Sequence, residues 1–266
     1  MKQILKHLTI LKVLTKNYLS QQMEYKCSFF TYLIVECIVL LSKLLYVGVT
    51  YSLGITINGV SPSALLLFNG TFFIISGIYG GFFMLNFSSF QSNVKGGGLD
   101  MLITKPVSLQ FMCSFSTIEF ATLIPNVVMG VILIVKAWRE LQLPVTFINV
   151  LGYLYLLAVG VVIIYNLLFL PLLLSFKLIQ TNSLMKITTS LSNFNTMPMH
   201  IYPKIAQRVG IFIFPIFIVT NFPAMFVIGE LNLWYVGWGT FVAGALSVLV
   251  RCLWKYSLRF YSSAMG

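Results

Sequence analysis

The sequence predicts an all-α integral membrane protein with six transmembrane helices, and three observations lead there. Only 9% of the 266 residues are charged and 58% are hydrophobic, whereas a soluble domain carries about 25% charged residues. The apolar residues gather into runs of the length a bilayer requires, about 20 residues each. Lysine and arginine flank those runs more than they interrupt them. One membrane domain over 1–266 follows, and a soluble two-domain enzyme is excluded. The 23 Phe, 13 Tyr and 4 Trp suit a lipid-facing surface with interfacial anchors. The net charge of +11 would fit nucleic acid, but its placement at span ends is what the positive-inside rule requires, so no nucleic-acid partner is expected. Cys27, Cys37, Cys113 and Cys252 are scattered without CxxC spacing, which indicates neither a zinc site nor a disulfide framework. No cleavable signal peptide is expected, because the basic start is long and the first apolar run exceeds an h-region.

Residues 1–28 read as an interfacial segment. Within it, 2–19 form an amphipathic helix: Ile4, Leu8, Leu11, Leu14 and Tyr18 on one face, Lys2, Lys6, Lys12 and Lys16 opposite. Leu5 and Val13 fall off the apolar face. Such a helix lies in the membrane plane with its lysines toward anionic headgroups. The first span is about 29–53 and contains Glu36 and Lys43. Asn58-Gly59 and Ser61-Pro62 mark a short turn. The second span is about 64–87. Two glycosylation patterns, Asn69-Gly70-Thr71 and Asn86-Phe87-Ser88, lie at or in apolar runs and are discounted.

Residues 88–106, SSFQSNVKGGGLDMLITKP, form a polar island between apolar stretches. Its Ser, Gln and Asn side chains favour turns, and Gly96, Gly97 and Gly98 add backbone freedom. A short helix over Leu99–Thr104 follows. Leu99, Leu102 and Ile103 fall at i, i+3 and i+4 and share a face. Asp100 suits the positive end of that helix and Lys105 the negative end; Pro106 closes it. A helix of about six residues does not persist alone in water, so it requires a docking surface.

The third span, about 107–135, carries Glu119 and Pro125. Lys136, Arg139, Glu140 and Pro144 make the next polar turn. The fourth span runs from Phe147 to about Leu170, and Pro171 kinks or ends it. Two readings of the following stretch stay open. Either 176–208 is a polar connector and 209–229 the fifth span, or about 172–197 is the fifth span and 209–229, interrupted by Pro215 and Pro223, dips into the outer leaflet and returns. Non-helical backbone at depth needs protein around it. The last span is about 232–254, entered through Trp234, Tyr235 and Trp238 and left through Arg251, Lys255 and Arg259. Both readings give six crossings with the N- and C-termini cytoplasmic. The inner segments then hold Lys2, Lys6, Lys12, Lys16, Lys26, Lys95, Lys105, Arg251, Lys255 and Arg259, and the outer 136–146 turn only Lys136 and Arg139. There is no internal repeat and no low-complexity segment.

The run Gly97-Gly98-Leu99-Asp100-Met101-Leu102-Ile103-Thr104-Lys105-Pro106-Val107 resembles the inner loop of type 2 ATP-binding-cassette (ABC) exporter permeases. The resemblance is to the compact six-span family usually encoded as paired permeases beside one ATPase. The closing run Trp254-Lys255-Tyr256-Ser257-Leu258-Arg259-Phe260-Tyr261-Ser262-Ser263-Ala264 is similar to that family's W-x-x-x-L-R-x-Y-S-S-A ending. Tyr202-Pro203, Phe214-Pro215 and Phe222-Pro223-Ala224 resemble its outer Pro-rich region.

The resemblance implies a coupling helix within 88–106, with Gly98, Leu99, Asp100, Leu102, Ile103, Lys105 and Pro106 engaging an ATPase dimer. It also implies a re-entrant outer hairpin over 198–229 before the last span, and so favours the second reading. ATP and Mg would sit on the partner ATPase, with no cofactor in this chain. The other expected partners are a second permease, related but different, and membrane lipid. The expected location is the bacterial cytoplasmic membrane.

The chain contains no G-x-x-x-x-G-K-[ST] loop, no HExxH pair and no GxSxG elbow, and His7 and His200 stand far apart. No catalytic residue and no metal ligand is expected. Glu36, Lys43 and Glu119 are the charges inside predicted spans, where ionisable groups line a pathway or pair to hold the bundle. Pro203, Pro215 and Pro223, with Pro198, are candidates for an outer gate that opens sideways to lipid. Spans this poor in charge cannot replace the hydration of a small, highly charged solute. They suit a hydrophobic or amphipathic one instead: a lipid, drug or antimicrobial peptide. The alternatives are an ion-coupled secondary transporter and a membrane-embedded lipid-modifying enzyme.

Overall fold

The computed structural model describes residues 2–54, 56, 59–177, 186, 190 and 197–261. Among them the regular elements are helical. α1 spans Lys2–Glu24 and α2 Lys26–Ser52, separated at Tyr25. α1 is not among the helices apolar enough to cross a membrane. Of its expected apolar face, Leu11, Leu14 and Tyr18 are partly buried; Lys6, Lys12 and Lys16 are exposed.

α3 (Pro62–Tyr79) passes through a π-helical segment, Gly80–Met84, into α4 (Leu85–Lys95). The second span is therefore one helical run, Pro62–Lys95, and the expected turn at 88–95 does not form. Ser88, Ser89 and Ser92 donate their hydroxyls back to carbonyls three or four residues earlier, a pattern compatible with helix. The π segment falls where Gly80 and Gly81 meet Thr122 and Leu123. The Gly81 carbonyl accepts from the Glu119 backbone N–H at 2.8 Å.

The expected third span is split. α5 (Gly98–Ile103) and α6 (Leu109–Phe115) precede a break at 116–119, and the crossing helix is α7 (Phe120–Glu140). Asn86 holds that break. Its amide donates to the carbonyls of Ser114 and Thr117 and accepts from Ser116 Oγ and Thr117 N. α8 (Phe147–Phe169) runs on as a 3-10 helix, Leu170–Phe176, so 172–176 belong to the fourth span. The rest of the expected fifth span at about 172–197 lies almost entirely outside the described residues. The chain resumes in α9 (Lys204–Phe212) and α10 (Ile216–Ile228), bent by 101° about Pro215, and ends in α11 (Leu233–Ser257) with a short 3-10 turn, Leu258–Phe260. Among the described residues five helices can cross a membrane by length and composition, and six if the bent pair is one span.

Glycines set how closely the bundle packs. A Cβ on Gly130 would lie 2.7 Å from the Gly70 carbonyl oxygen, and one on Gly70 would lie 2.9 Å from that of Gly130. The backbones of α3 and α7 touch there, as small residues allow in membrane helices. α10 is the innermost helix: Phe217, Ile218, Val219 and Phe222 are at most 1% exposed. It packs on α8, α3 and α9. α5 lies at one end of the bundle; the bent α9–α10 pair, a broken span or a re-entrant hairpin by its geometry, lies at the other, the hairpin end. At the hairpin end Glu140 of α7 accepts from Tyr51 Oη (2.7 Å) and Ser63 Oγ (2.9 Å) and pairs with Lys136 (3.8 Å), joining α2, α3 and α7.

Candidate functional site at the α5 end of the bundle

α5 is set up by the two glycines at its start, Gly97 at the N-cap and Gly98 in its first position. Gly97 has φ +75°, a left-handed conformation that other residues adopt at a cost. A Cβ on Gly98 would lie 2.7 Å from Asn93 Oδ1 and 3.2 Å from Asn93 Cα, so only glycine lets the chain turn this tightly off α4. Leu99 is then fully buried, in the apolar cluster that contains Phe90, Phe169, Phe176 and Trp254. Trp254 sits among the other three rings, with centroids 5.6–6.1 Å away. Asp100 accepts a hydrogen bond from Tyr261 Oη at 2.9 Å. Partial burial and the Asp100 carboxylate both hold the Tyr261 phenol above its ordinary pKa. Two runs separated by about 150 residues, GGLDMLITKPV and WKYSLRFY, thus meet in one structure.

The expected common face of Leu99, Leu102 and Ile103 is divided. Leu99 anchors inward, Leu102 packs partly against the core, and Ile103 is 51% exposed beside Met101 at 69%. Lys105 and Pro106 are exposed, as are Lys95, Arg251, Lys255 and Arg259. α5 therefore presents an apolar tip, Met101 and Ile103, with Lys105 just beyond it in the chain, and its own core holds it in place. That answers how six residues stay helical: docking is already supplied by Leu99 and Asp100 from within the chain.

The three charges expected inside spans do not gather. Glu36 accepts from Asn126 Nδ2 of α7 at 2.7 Å. Lys43 is exposed and lies 5.7 Å from the Phe72 ring centroid. Glu119 is not within a crossing helix at all, since the break at 116–119 makes it the N-cap of α7. Its Oε1 accepts from Ala121 N and from Gln22 of α1. Burial raises the Glu119 pKa above the ordinary carboxylate value, partly offset by the Ala121 N–H. The folded state therefore favours the protonated form more than the unfolded chain does. The stability linked to Glu119 is fullest below its unfolded value of about 4.3 and declines as pH rises through the higher folded value. Glu119→Gln should flatten that part of the stability profile and cost nothing at pH 7. Thermal melts from pH 4 to 8 check it; a variant that melts well below the parent at pH 7 contradicts it.

The prolines at the hairpin end play different parts. Pro203 is the N-cap of α9, and Pro215 stands at the 101° bend. Pro223 does not interrupt the chain as expected but lies inside α10, buried. Sequence reasoning did not find the Asp100–Tyr261 bond or the Glu36–Asn126 bond, because neither separation has a local periodicity. Among the described residues no group of three His, Cys, Asp or Glu could hold a metal ion.

These features define a multi-pass helical membrane component with a short helix projecting at one end. A family model described as ABC-2 family transporter protein matches residues 37–265, and the chain belongs to that family: it is an ABC-2 type permease, a transport component and not itself an enzyme. Comparison with curated proteins and with solved structures gave no match.

Proposed function

We propose that this chain is the permease subunit of an exporter, driven by a separate ATPase dimer that docks on α5. ABC-2 family permeases usually work with an ATPase subunit. The observation that carries the docking site is the exposed Met101–Ile103 tip, held rigidly from behind by Leu99 and Asp100. A rigid lever transmits motion from a partner that a floppy loop would absorb, and neighbouring exposed apolar residues on a projecting helix suit an interaction site. The α5 end then faces the cytosol of a bacterial plasma membrane, in line with the exposed Lys95, Lys105, Arg251, Lys255 and Arg259 there. The cargo is hydrophobic or amphipathic and moves outward, because the spans offer aromatic, Met and Asn side chains and few charges.

A second permease chain, related but different, completes the assembly. α2 supports this: Ile34, Ile38, Leu41, Leu45 and the charged Lys43 are exposed, and a charge at that depth needs a partner. Purification in mild detergent followed by native mass spectrometry tests the reading. The expected particle holds two permeases and two ATPases. A transport-competent permease running alone would overturn it.

A further inference from the structure

We propose that α9 and the groove beside it bind the headgroup of an anionic phospholipid in the leaflet that meets the hairpin end of the bundle. The inference is independent of what the permease exports. α9, KIAQRVGIF, is strongly amphipathic and short. Ile205 is 78% and Ile213 66% exposed; with Val209 and Phe212 they form an apolar stripe along its outer side. Lys204 and Arg208 stand one turn apart, about 6 Å along the axis, and both are exposed. Neither forms an ion pair with a described carboxylate, Lys136–Glu140 being the ion pair among the described residues. Both line a groove of about 320 Å³ together with Gln207, Phe222, Met225 and Tyr235. Glu230 also lines it and works against an anion.

The depth is marked by aromatic residues. Trp234 and Trp238 stack with ring planes 2° apart, Phe212 packs on both, and Trp238 Nε1 donates to the Ile211 carbonyl at 3.3 Å. Indoles of this kind settle at headgroup level. Two cations with an apolar stripe and an aromatic belt beside them match a phosphate with acyl chains attached. A soluble anion would leave the stripe without a partner. With Lys204 and Arg208 against the single carboxylate of Glu230, the groove keeps a net positive charge, and a headgroup phosphate supplies its counter-charge.

The full-length protein, purified with its accompanying subunits into phosphatidylcholine nanodiscs doped with phosphatidylglycerol, tests this by native mass spectrometry of retained lipid. The parent should retain phosphatidylglycerol preferentially. The double variant Lys204→Gln/Arg208→Gln should reduce that preference about thirtyfold. Glu230→Gln should increase it, an outcome that misfolding cannot imitate. An unchanged preference in the double variant would overturn the site. So would an equal loss in Lys136→Gln/Arg139→Gln, at the same end but outside the groove, or displacement of the lipid by inorganic phosphate.

Discussion

Ile103→Asp should uncouple the permease from its ATPase while leaving it folded and inserted. Ile103 is half exposed at the tip of α5 and contributes little to the core. A carboxylate there is solvated in the free permease but must be stripped of water in a docked complex. An uncompensated charge buried at an interface costs about 3–5 kcal/mol, enough to weaken association more than a hundredfold. Substrate-stimulated ATP hydrolysis should fall to the basal rate, and co-purification of the ATPase should be lost. Met101→Asp should act in the same way. Leu99→Ala is the contrasting change: it removes a fully buried side chain and should lower folding stability by about 2–5 kcal/mol through the cavity it leaves. Leu102→Asp would mix the two effects, since Leu102 packs partly against the core. If Ile103→Asp retains both ATPase binding and stimulated hydrolysis, α5 is not the docking element and the Gly97–Pro106 resemblance misleads.

The first, second, fourth and last spans were legible in the sequence because length and hydropathy alone determine what a bilayer accepts, while the third was placed too early, across the break at 116–119. The short helix α5 was legible too, since glycines before it and Pro106 after it bound a run with helical spacing. Which way its side chains point was not. The i, i+3, i+4 pattern puts Leu99, Leu102 and Ile103 on one side of a helix, but α5 is barely two turns long and sits in a corner. Leu99 and Ile103 therefore end up on opposite sides of the line between core and solvent. The serines at 88–92 misled for a related reason. Their turn preference is a weak local term, and a membrane helix that can take their hydroxyls back onto its own carbonyls overrides it. Glu119 was read as lying inside a helical span because its neighbours are apolar, whereas it caps one. The break that makes it a cap depends on Asn86, some 30 residues away. Local pattern thus located the elements; contacts between distant residues determined which of their groups are free to act.

Gly160→Leu should abolish correctly packed protein, the largest structural effect expected of any single change at this level of the bundle. A proline at 223 has no N–H to give the carbonyl four residues earlier, that of Val219. Gly160 of α8 lies against that carbonyl: a Cβ added at Gly160 would stand 2.5 Å from Val219 O and 3.3 Å from Val219 Cα. Contacts of this kind, a glycine Cα–H on a carbonyl oxygen, recur at close helix crossings. The obstacle to a side chain here is backbone on a buried helix, so it cannot rotate away. Overpacking against movable side chains costs about 1–3 kcal/mol. Pushing α10 off α8 costs more, because Phe217, Val219 and Phe222 lose their packing with it. The variant should express at the membrane but run as aggregate on size exclusion, with no cooperative melt. Gly244→Leu is the control, since nothing lies within 4 Å of its position, and it should behave as the parent does. A Gly160→Leu protein that is monodisperse and melts within a few degrees of the Gly244→Leu control would show that α10 is not locked against α8 and that the hairpin moves freely in the bundle.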